Sequence, residues 1–192
     1  MKQTRITILV EGAVMIALAA VLSYIRVFKL PTGGSVTLMS MLPIIVFSIR
    51  YGVKHGLGVA FGYSLVQLVQ GAMDGLFAWG LSAPMLIACI VLDYLGAFTV
   101  IGFAGIFRSR GASGWVAGTI FAGVLRFVFH FFSGVVIWRS CGELWSGFDI
   151  NNVWLYSLAY NGIYMLPEIL FTSLGAYALF RVPATRRLLK AA

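Results

Sequence analysis

Long apolar runs restrict the possible folds of this chain more than any other feature of its sequence. Six such runs cover approximately residues 6–27, 36–49, 57–70, 81–107, 115–138 and 153–180. A helix needs about 20 apolar residues to cross a bilayer, and somewhat fewer inside a bundle. Backbone polar groups in lipid must be satisfied within the structure, which favours helices for such runs. The sequence therefore predicts an all-α membrane protein in which residues 1–192 form a single six-helix bundle.

Composition excludes a soluble domain. Hydrophobic residues make up 60% of the chain and charged residues only 10%, and the mean hydropathy is +0.95. A soluble domain of this size would have more polar residues to cover its surface.

The basic residues predict the orientation of the bundle. With the N-terminus inside, the outer loops contain only Arg26, Lys29 and Arg139. The cytoplasmic segments contain ten basic residues: Lys2, Arg5, Arg50, Lys54, Arg108, Arg110, Arg181, Arg186, Arg187 and Lys190. This bias places both termini in the cytoplasm. The net charge of +8 is thereby explained by topology, and no nucleic-acid partner is expected.

Several chemistries lack a sequence signature. There is no glycine-rich loop ending in Gly-Lys-Ser/Thr, so we do not expect this chain to hydrolyse ATP. Cys89 and Cys141 have no metal-ligand spacing and indicate no disulfide framework. We predict no metal site and no cofactor. The inverted repeats and paired broken helices of many secondary transporters are not evident.

One stripe of the fifth run combines polar and aromatic side chains. Arg126, His130, Gly134 and Trp138 are spaced by four and share one helix face. An ionisable residue at membrane depth is costly unless it faces protein, water or a ligand. We therefore expect the stripe to face the bundle interior.

Helix rise gives each candidate residue a depth. Asp93 lies ~18 Å into the fourth span, and His130 and Asn161 lie ~12 Å below the outer rim. The six residues that can share a pocket open to the outside are Asp93, Tyr94, His130, Trp138, Tyr156 and Asn161. Their chemistry suits a cationic heteroaromatic ligand. Alternatively, Trp138 and Tyr156 are interfacial belt residues and His130 joins two helices.

Two further pairs of residues carry expectations. Arg126 and Glu168 lie at similar depth, so we predict that they pair. Ala13 and Ala17 are small residues spaced by four, which allow another helix to approach closely. That helix belongs either to the bundle or to a second membrane protein.

Several segments resemble a known family. They read Arg-Phe-Val-Phe-His-Phe-Phe-Ser-Gly-Val-Val-Ile-Trp (126–138), Leu-Asp-Tyr-Leu (92–95) and Tyr-Ser-Leu-Ala-Tyr-Asn-Gly (156–162). Residues 33–43 and 48–52 match the family's second span and the loop that follows it. Together they are similar to the thiamine-specific substrate-binding S-component of energy-coupling-factor (ECF) vitamin transporters, and the similarity runs in order over nearly the whole chain.

The resemblance implies a non-enzymatic, multi-pass subunit of a bacterial cell membrane that captures thiamine from outside. Its partners would be membrane lipid, a transmembrane coupling subunit and two cytosolic ATPases. The implied pocket consists of Asp93, Tyr94, His130, Trp138, Tyr156 and Asn161, with Gly134 leaving room for the ligand. Ala13 and Ala17 would dock on the coupling subunit.

The chain departs from the family pattern at three positions. Some members carry Glu where Asp93 stands, and some carry a Trp and an acidic residue at the positions of Gly34 and Leu38. Trp79 is a candidate replacement for the missing ring. The alternatives are an S-component for another vitamin or a thiamine precursor, a stand-alone secondary transporter, and an intramembrane enzyme that uses Asp93 and His130 as an acid-base pair.

Overall fold

The computed structural model describes residues 4–30, 34–145 and 147–190, with side chains described as far as Arg187. Lys2 and residues 31–33 of the first outer loop lie outside these ranges. Within them, six helical columns form the bundle. They are α1 (Arg5–Tyr24), α2 (Leu42–Tyr51), α3 (Val53–Met73), α4 (83–110), α5 (111–138) and α6 (Val153–Arg181), and a short helix α7 (Pro183–Lys190) follows. The predicted all-α membrane class is confirmed.

The columns α4 and α5 run on almost without interruption over residues 83–138. Phe107 leaves helical geometry, and Gly111 adopts a φ of 66°, a left-handed conformation that glycine tolerates without a Cβ clash. The chain reverses there, so one continuous apolar stretch supplies two spans. Each column contains a π-helical segment, Ile90–Gly96 in α4 and Gly134–Trp138 in α5.

The second predicted span differs from the structure. The sequence places it at residues 36–49, whereas α2 begins at Leu42 and has 10 residues. At 1.5 Å per residue α2 is only ~15 Å long, about half a bilayer. On the outer side of α2, the chain forms an antiparallel hairpin of β1 (Arg26–Lys29) and β2 (Ser35–Thr37) instead of further helix. A second hairpin, β3 (Gly142–Trp145) and β4 (Phe148–Ile150), joins α5 to α6.

The apolar core fills the cytoplasmic half of the bundle. Ile44 and Ile45 of α2, Tyr63 of α3 and Ile101 of α4 are all fully buried there. At the same end, Glu11 of α1 forms an ion pair with Arg50 at 3.2 Å and accepts a hydrogen bond from the Tyr51 hydroxyl at 2.7 Å. These contacts close the inner end, so the empty space lies in the outer half.

The predicted pairing of Arg126 with Glu168 is wrong. Among the described residues no ion pair joins them, although their charges interact at longer range. Glu168 instead accepts two hydrogen bonds of 2.7 Å from Thr37, one from its backbone N–H and one from its hydroxyl. The Arg126 guanidinium lies 4.3 Å from the centre of the Phe98 ring. Thr37 of the β1–β2 hairpin therefore takes the place that the sequence analysis assigned to Arg126 as the partner of Glu168.

The Glu168 contact predicts a stability effect for Thr37→Val. Glu168 is 1% exposed, so the substitution leaves a buried carboxylate with one donor fewer. We expect a loss of ~1–3 kcal/mol in the free energy of unfolding. Thermal unfolding in detergent measures it. The matched control is Thr172→Val, which removes a buried hydroxyl that has no partner among the described residues. An equal loss in both variants would contradict a specific role for the Glu168 contact.

Candidate functional site

A cavity of about 590 Å³ opens among the outer ends of the helices. This volume lies within the range of small-molecule sites. Its wall includes all seven residues that the sequence proposed for binding, and also Trp79: Asp93, Tyr94, His130, Gly134, Trp138, Tyr156 and Asn161. The β1–β2 hairpin forms one side of the same cavity, through Arg26, Lys29, Gly34 and Thr37.

The Asp93 carboxylate is the centre of a hydrogen-bond network. His130 Nδ1 lies 2.9 Å from Oδ1, and the Ser133 hydroxyl donates to Oδ2 at 2.5 Å. The Cys89 thiol and the Trp138 indole N–H each lie 3.4 Å from Oδ2, which are weaker contacts. The Asp93 side chain remains 16% exposed toward the cavity. A negative group is thus held in a fixed orientation with one side open to a ligand.

The two π-helical segments explain how these residues converge. Asp93 and Tyr94 lie in one of them, and Gly134 and Trp138 lie in the other. In the second, the Arg139 N–H donates to the Gly134 carbonyl five residues back, at 2.9 Å. Such a wide turn rotates the following side chains relative to a regular helix, and π-turns occur frequently at functional sites. Both segments lie next to the cavity.

Two tryptophans form the aromatic part of the wall. The rings of Trp79 and Trp138 are 5.3 Å apart and inclined by 67°, an edge-to-face arrangement. Trp79 comes from the short 3₁₀ connection after α3, and Trp138 ends α5. Their exposed fractions are 39% and 38%. Aromatic surface beside the Asp93 carboxylate suits a planar cation.

Helix α6 contributes a polar and aromatic face. The Tyr156 and Tyr160 rings stack at 6.1 Å with an angle of 8° between their planes. The Asn161 amide donates to the Ser157 carbonyl at 2.9 Å and accepts from the Tyr164 hydroxyl at 2.6 Å. Asn161 is 5% exposed, so most of its hydrogen-bonding capacity is already used within the protein.

Gly134 allows α5 and α6 to approach each other closely. A Cβ at this position would overlap the Ser157 hydroxyl and lie 3.4 Å from the Asn161 amide nitrogen. The space beside Gly134 is therefore largely occupied by α6, although Gly134 also lines the cavity. Its absent side chain sets the distance between two walls of the site.

Sequence reasoning missed Ser133 and Cys89. Both are fully buried and both contact Asp93. Cys89 precedes Asp93 by four residues and Ser133 follows His130 by three, so helical spacing from known candidates was the available signal. Among the described residues, no group of three or more His, Cys, Asp or Glu side chains has a geometry that could hold a metal ion.

Comparison with known proteins gives the family. The family model described as Thiamine transporter protein (Thia_YuaJ) matches residues 9–186. A protein named thiamine transporter ThiT, from Bacillus subtilis, is 35% identical over 186 residues, covering 90% of this chain and 89% of that protein. A ThiT from Lacticaseibacillus paracasei is 29% identical over 172 residues, covering 82% and 79%.

A solved structure supports the fold. The structure of ThiT from Listeria monocytogenes superposes with a TM-score of 0.76, covers 97% of this chain and 99% of its own, and is 24% identical. At 24% identity, the structural similarity establishes the fold alone. The family model, which spans most of the chain, establishes kinship, and the predicted class of a membrane transport protein rather than an enzyme is confirmed. The chain therefore belongs to the thiamine transporter protein family.

Proposed function

We propose that the outer cavity captures thiamine and that Asp93 is its principal recognition residue. The observation that carries this proposal is an orientated carboxylate beside two tryptophan rings in a cavity of about 590 Å³. Thiamine combines a cationic thiazolium ring with an aminopyrimidine. A negative group and aromatic faces complement the first ring, and hydrogen-bonding groups complement the second. The relatives named above as thiamine transporters support the same ligand.

The wall residues divide into two roles in this proposal. Trp138 covers the thiazolium ring, with Trp79 beside it. Trp79 thereby replaces the tryptophan that some family members carry at the position of Gly34. Asp93 balances the positive charge and accepts from the aminopyrimidine, while Tyr94 and His130 frame that ring. Tyr156 and Asn161 complete the α6 side, and Gly134 sets its distance from α5.

Transport requires partners in this proposal, because the sequence has no nucleotide-binding loop. The chain acts as the S-component of an ECF-type importer in a bacterial cell membrane, a single membrane domain surrounded by lipid. A transmembrane coupling subunit and two cytosolic ATPases drive inward release. Thiamine enters from the outside, where the cavity lies under the predicted topology.

The exposed face of α1 supplies the docking surface. Ala13 and Ala17 are both exposed, whereas Gly12 and Ala19 on the opposite side are buried. Small side chains let a second helix approach to backbone distance. We expect Ala17→Trp to weaken assembly with the coupling subunit about tenfold without changing thiamine affinity. Co-purification with tagged coupling subunit measures it. Leu18→Trp is the control, because Leu18 is also exposed but is turned about 100° from Ala17 around the helix. Unchanged assembly in Ala17→Trp would contradict docking at this position.

The proposed ligand is tested on the purified protein. Mass spectrometry of small molecules retained through purification in mild detergent should find thiamine. Calorimetric titration with thiamine, its aminopyrimidine and thiazole precursors and an anionic vitamin should rank thiamine first. An anionic vitamin that binds best would overturn the role of Asp93. Thiamine uptake into liposomes by this chain alone, driven by an ion gradient, would instead indicate a stand-alone secondary transporter.

A further inference from the structure

The inner end of the bundle carries positive charge that the described part of the chain does not neutralise. Of the six acidic residues in the sequence, only Glu11 lies at this end, and it is paired with Arg50 at 3.2 Å. Among the described residues, no carboxylate forms an ion pair with Arg110, Arg181 or Arg186. All three arginines are exposed. We therefore expect their counter-charge to come from a molecule next to this surface.

Two connections of the chain meet at the Phe180 ring. A Cβ built at Gly111, in the turn between α4 and α5, would lie 3.8 Å from Cζ of that ring. The Arg186 guanidinium carbon lies 5.6 Å from the ring centre. The Trp115 ring packs against Phe180 at 5.0 Å with an angle of 83° between the planes. Arg110 directly precedes Gly111, so Arg110 and Arg186 belong to one region of the inner surface, which we call the Phe180 corner.

Both guanidinium groups of the Phe180 corner lie over aromatic rings. The Arg110 guanidinium carbon is 5.2 Å from the centre of the Phe107 ring, and Arg186 lies over Phe180 in the same way. A cation–π contact restricts the position of the planar group without using its N–H donors. Those donors form a rigid fork that matches the oxygens of a phosphate group. The corner is thus suited to an anionic phosphate.

Exposed apolar side chains adjoin the Phe180 corner. Ile106 precedes Arg110 by four residues, and Tyr177 precedes Arg181 by four. Both are exposed, as is Val182 between α6 and α7. In a membrane protein such side chains contact acyl chains, whereas basic residues at the inner ends of spans lie at the level of the lipid headgroups. A molecule with a phosphate group and an acyl chain complements both surfaces, and a soluble anion complements only one.

Helix α7 carries the second arginine of the corner across the inner end of the bundle. Helix α6 ends at Val182, whose φ of −75° and ψ of 117° are extended, and α7 begins at Pro183. α7 contacts α2 as well as α6, so it does not continue along the line of α6. Arg187 adds a further exposed charge. Basic residues next to the inner surface of a membrane favour anionic headgroups.

We propose that the Phe180 corner binds the phosphate headgroup of an anionic phospholipid of the inner leaflet, with Arg110 and Arg186 as its two guanidinium donors. The proposal goes beyond the proposed function, since it involves neither thiamine nor the outer cavity. The bound lipid holds α7 at the membrane surface and gives the protein a preference for anionic over zwitterionic lipid.

Native mass spectrometry of the full chain in mild detergent tests the corner. The protein is mixed with equal amounts of phosphatidylglycerol and phosphatidylcholine, and the retained lipid is identified by its mass. Wild-type protein should retain phosphatidylglycerol in preference by about tenfold or more. Arg110→Gln and Arg186→Gln should each reduce this preference about fivefold, the effect of one basic residue near an anionic surface. Arg186→Lys keeps the charge and should reduce it less than about threefold.

Arg5→Gln is the matched control, because it removes an exposed charge at the same end of the bundle from α1, which packs against α2 and α3. It should leave the lipid preference at its wild-type value, and circular dichroism establishes that each variant is folded. Equal retention of the two lipids by wild-type protein would overturn the proposal. An equal reduction in Arg5→Gln and Arg186→Gln would do the same, since it would indicate an effect of net charge alone.

Two further measurements distinguish the lipid from other anions. Inorganic phosphate at about 10 mM should not displace phosphatidylglycerol, and its displacement would assign the corner to a soluble anion. The Arg110→Gln/Arg186→Gln double variant should still co-purify with the cytosolic ATPases. Lost co-purification together with an unchanged lipid preference would assign the corner to an acidic protein surface and overturn the lipid site.

Discussion

Replacing Asp93 by alanine is expected to weaken thiamine binding about 100-fold, the equivalent of ~2.8 kcal/mol. Asp93 and Asp74 are the acidic side chains among the described residues that line the cavity, and Asp74 is already paired with Arg26. Hydrogen bonds to a charged group contribute ~1.5–3 kcal/mol, more than neutral ones. Asp93→Asn preserves shape but not charge, and we expect most of the same loss.

Calorimetric titration measures the Asp93 effect, with circular dichroism to establish that the variants remain folded. Asp149→Ala is the matched control, because that carboxylate is exposed on the outer hairpin and does not line the cavity. Wild-type affinity in both Asp93 variants would remove the carboxylate from the recognition mechanism.

The second large effect is expected for Trp138→Ala, about 30-fold in thiamine affinity or ~2 kcal/mol. The substitution removes the aromatic face and also the indole N–H that lies 3.4 Å from Asp93 Oδ2. Trp138→Phe keeps a ring without the donor, so an intermediate loss is expected. Trp79 loses its edge-to-face neighbour in the alanine variant, which adds to the effect.

Titration calorimetry again gives the affinities, and Trp145→Ala provides the comparison. Trp145 lies on the outer hairpin, is 55% exposed and stacks on Phe148 rather than on a cavity residue. Equal losses for Trp138→Ala and Trp145→Ala would point to a general effect of tryptophan removal and would contradict stacking in the cavity.

Local patterns were enough to predict most of the bundle. The predicted fourth, fifth and sixth spans begin and end within four residues of α4, α5 and α6, because apolar length is set by the bilayer and can be counted. The second span was misplaced, since Val36 and Thr37 at its predicted start belong to β2 and pair with β1 instead of continuing the apolar run of α2. Hairpin pairing depends on a partner strand, and hydropathy alone does not reveal one.

In the candidate site, too, some features could be predicted from local sequence and others depended on packing. The sequence was enough to propose Asp93, His130 and Trp138. A polar residue at a known depth in the membrane is expected to face protein, water or a ligand rather than lipid. The pairing of Glu168 was wrong for the opposite reason: two charges at equal depth need not face each other, and Thr37 of β2 was nearer. Helix rotation decides which neighbour is reached, and it is set by packing.

The amino-acid sequence by itself determined the class of protein, its predicted orientation and the depth of its ionisable groups, because these follow from the free energy of moving side chains between water and lipid. Only the tertiary structure decided the contacts of His130, Ser133 and Trp138 with Asp93 and the pairing of Thr37 with Glu168. Those contacts join residues of different helices and strands, so they exist only once these elements have packed.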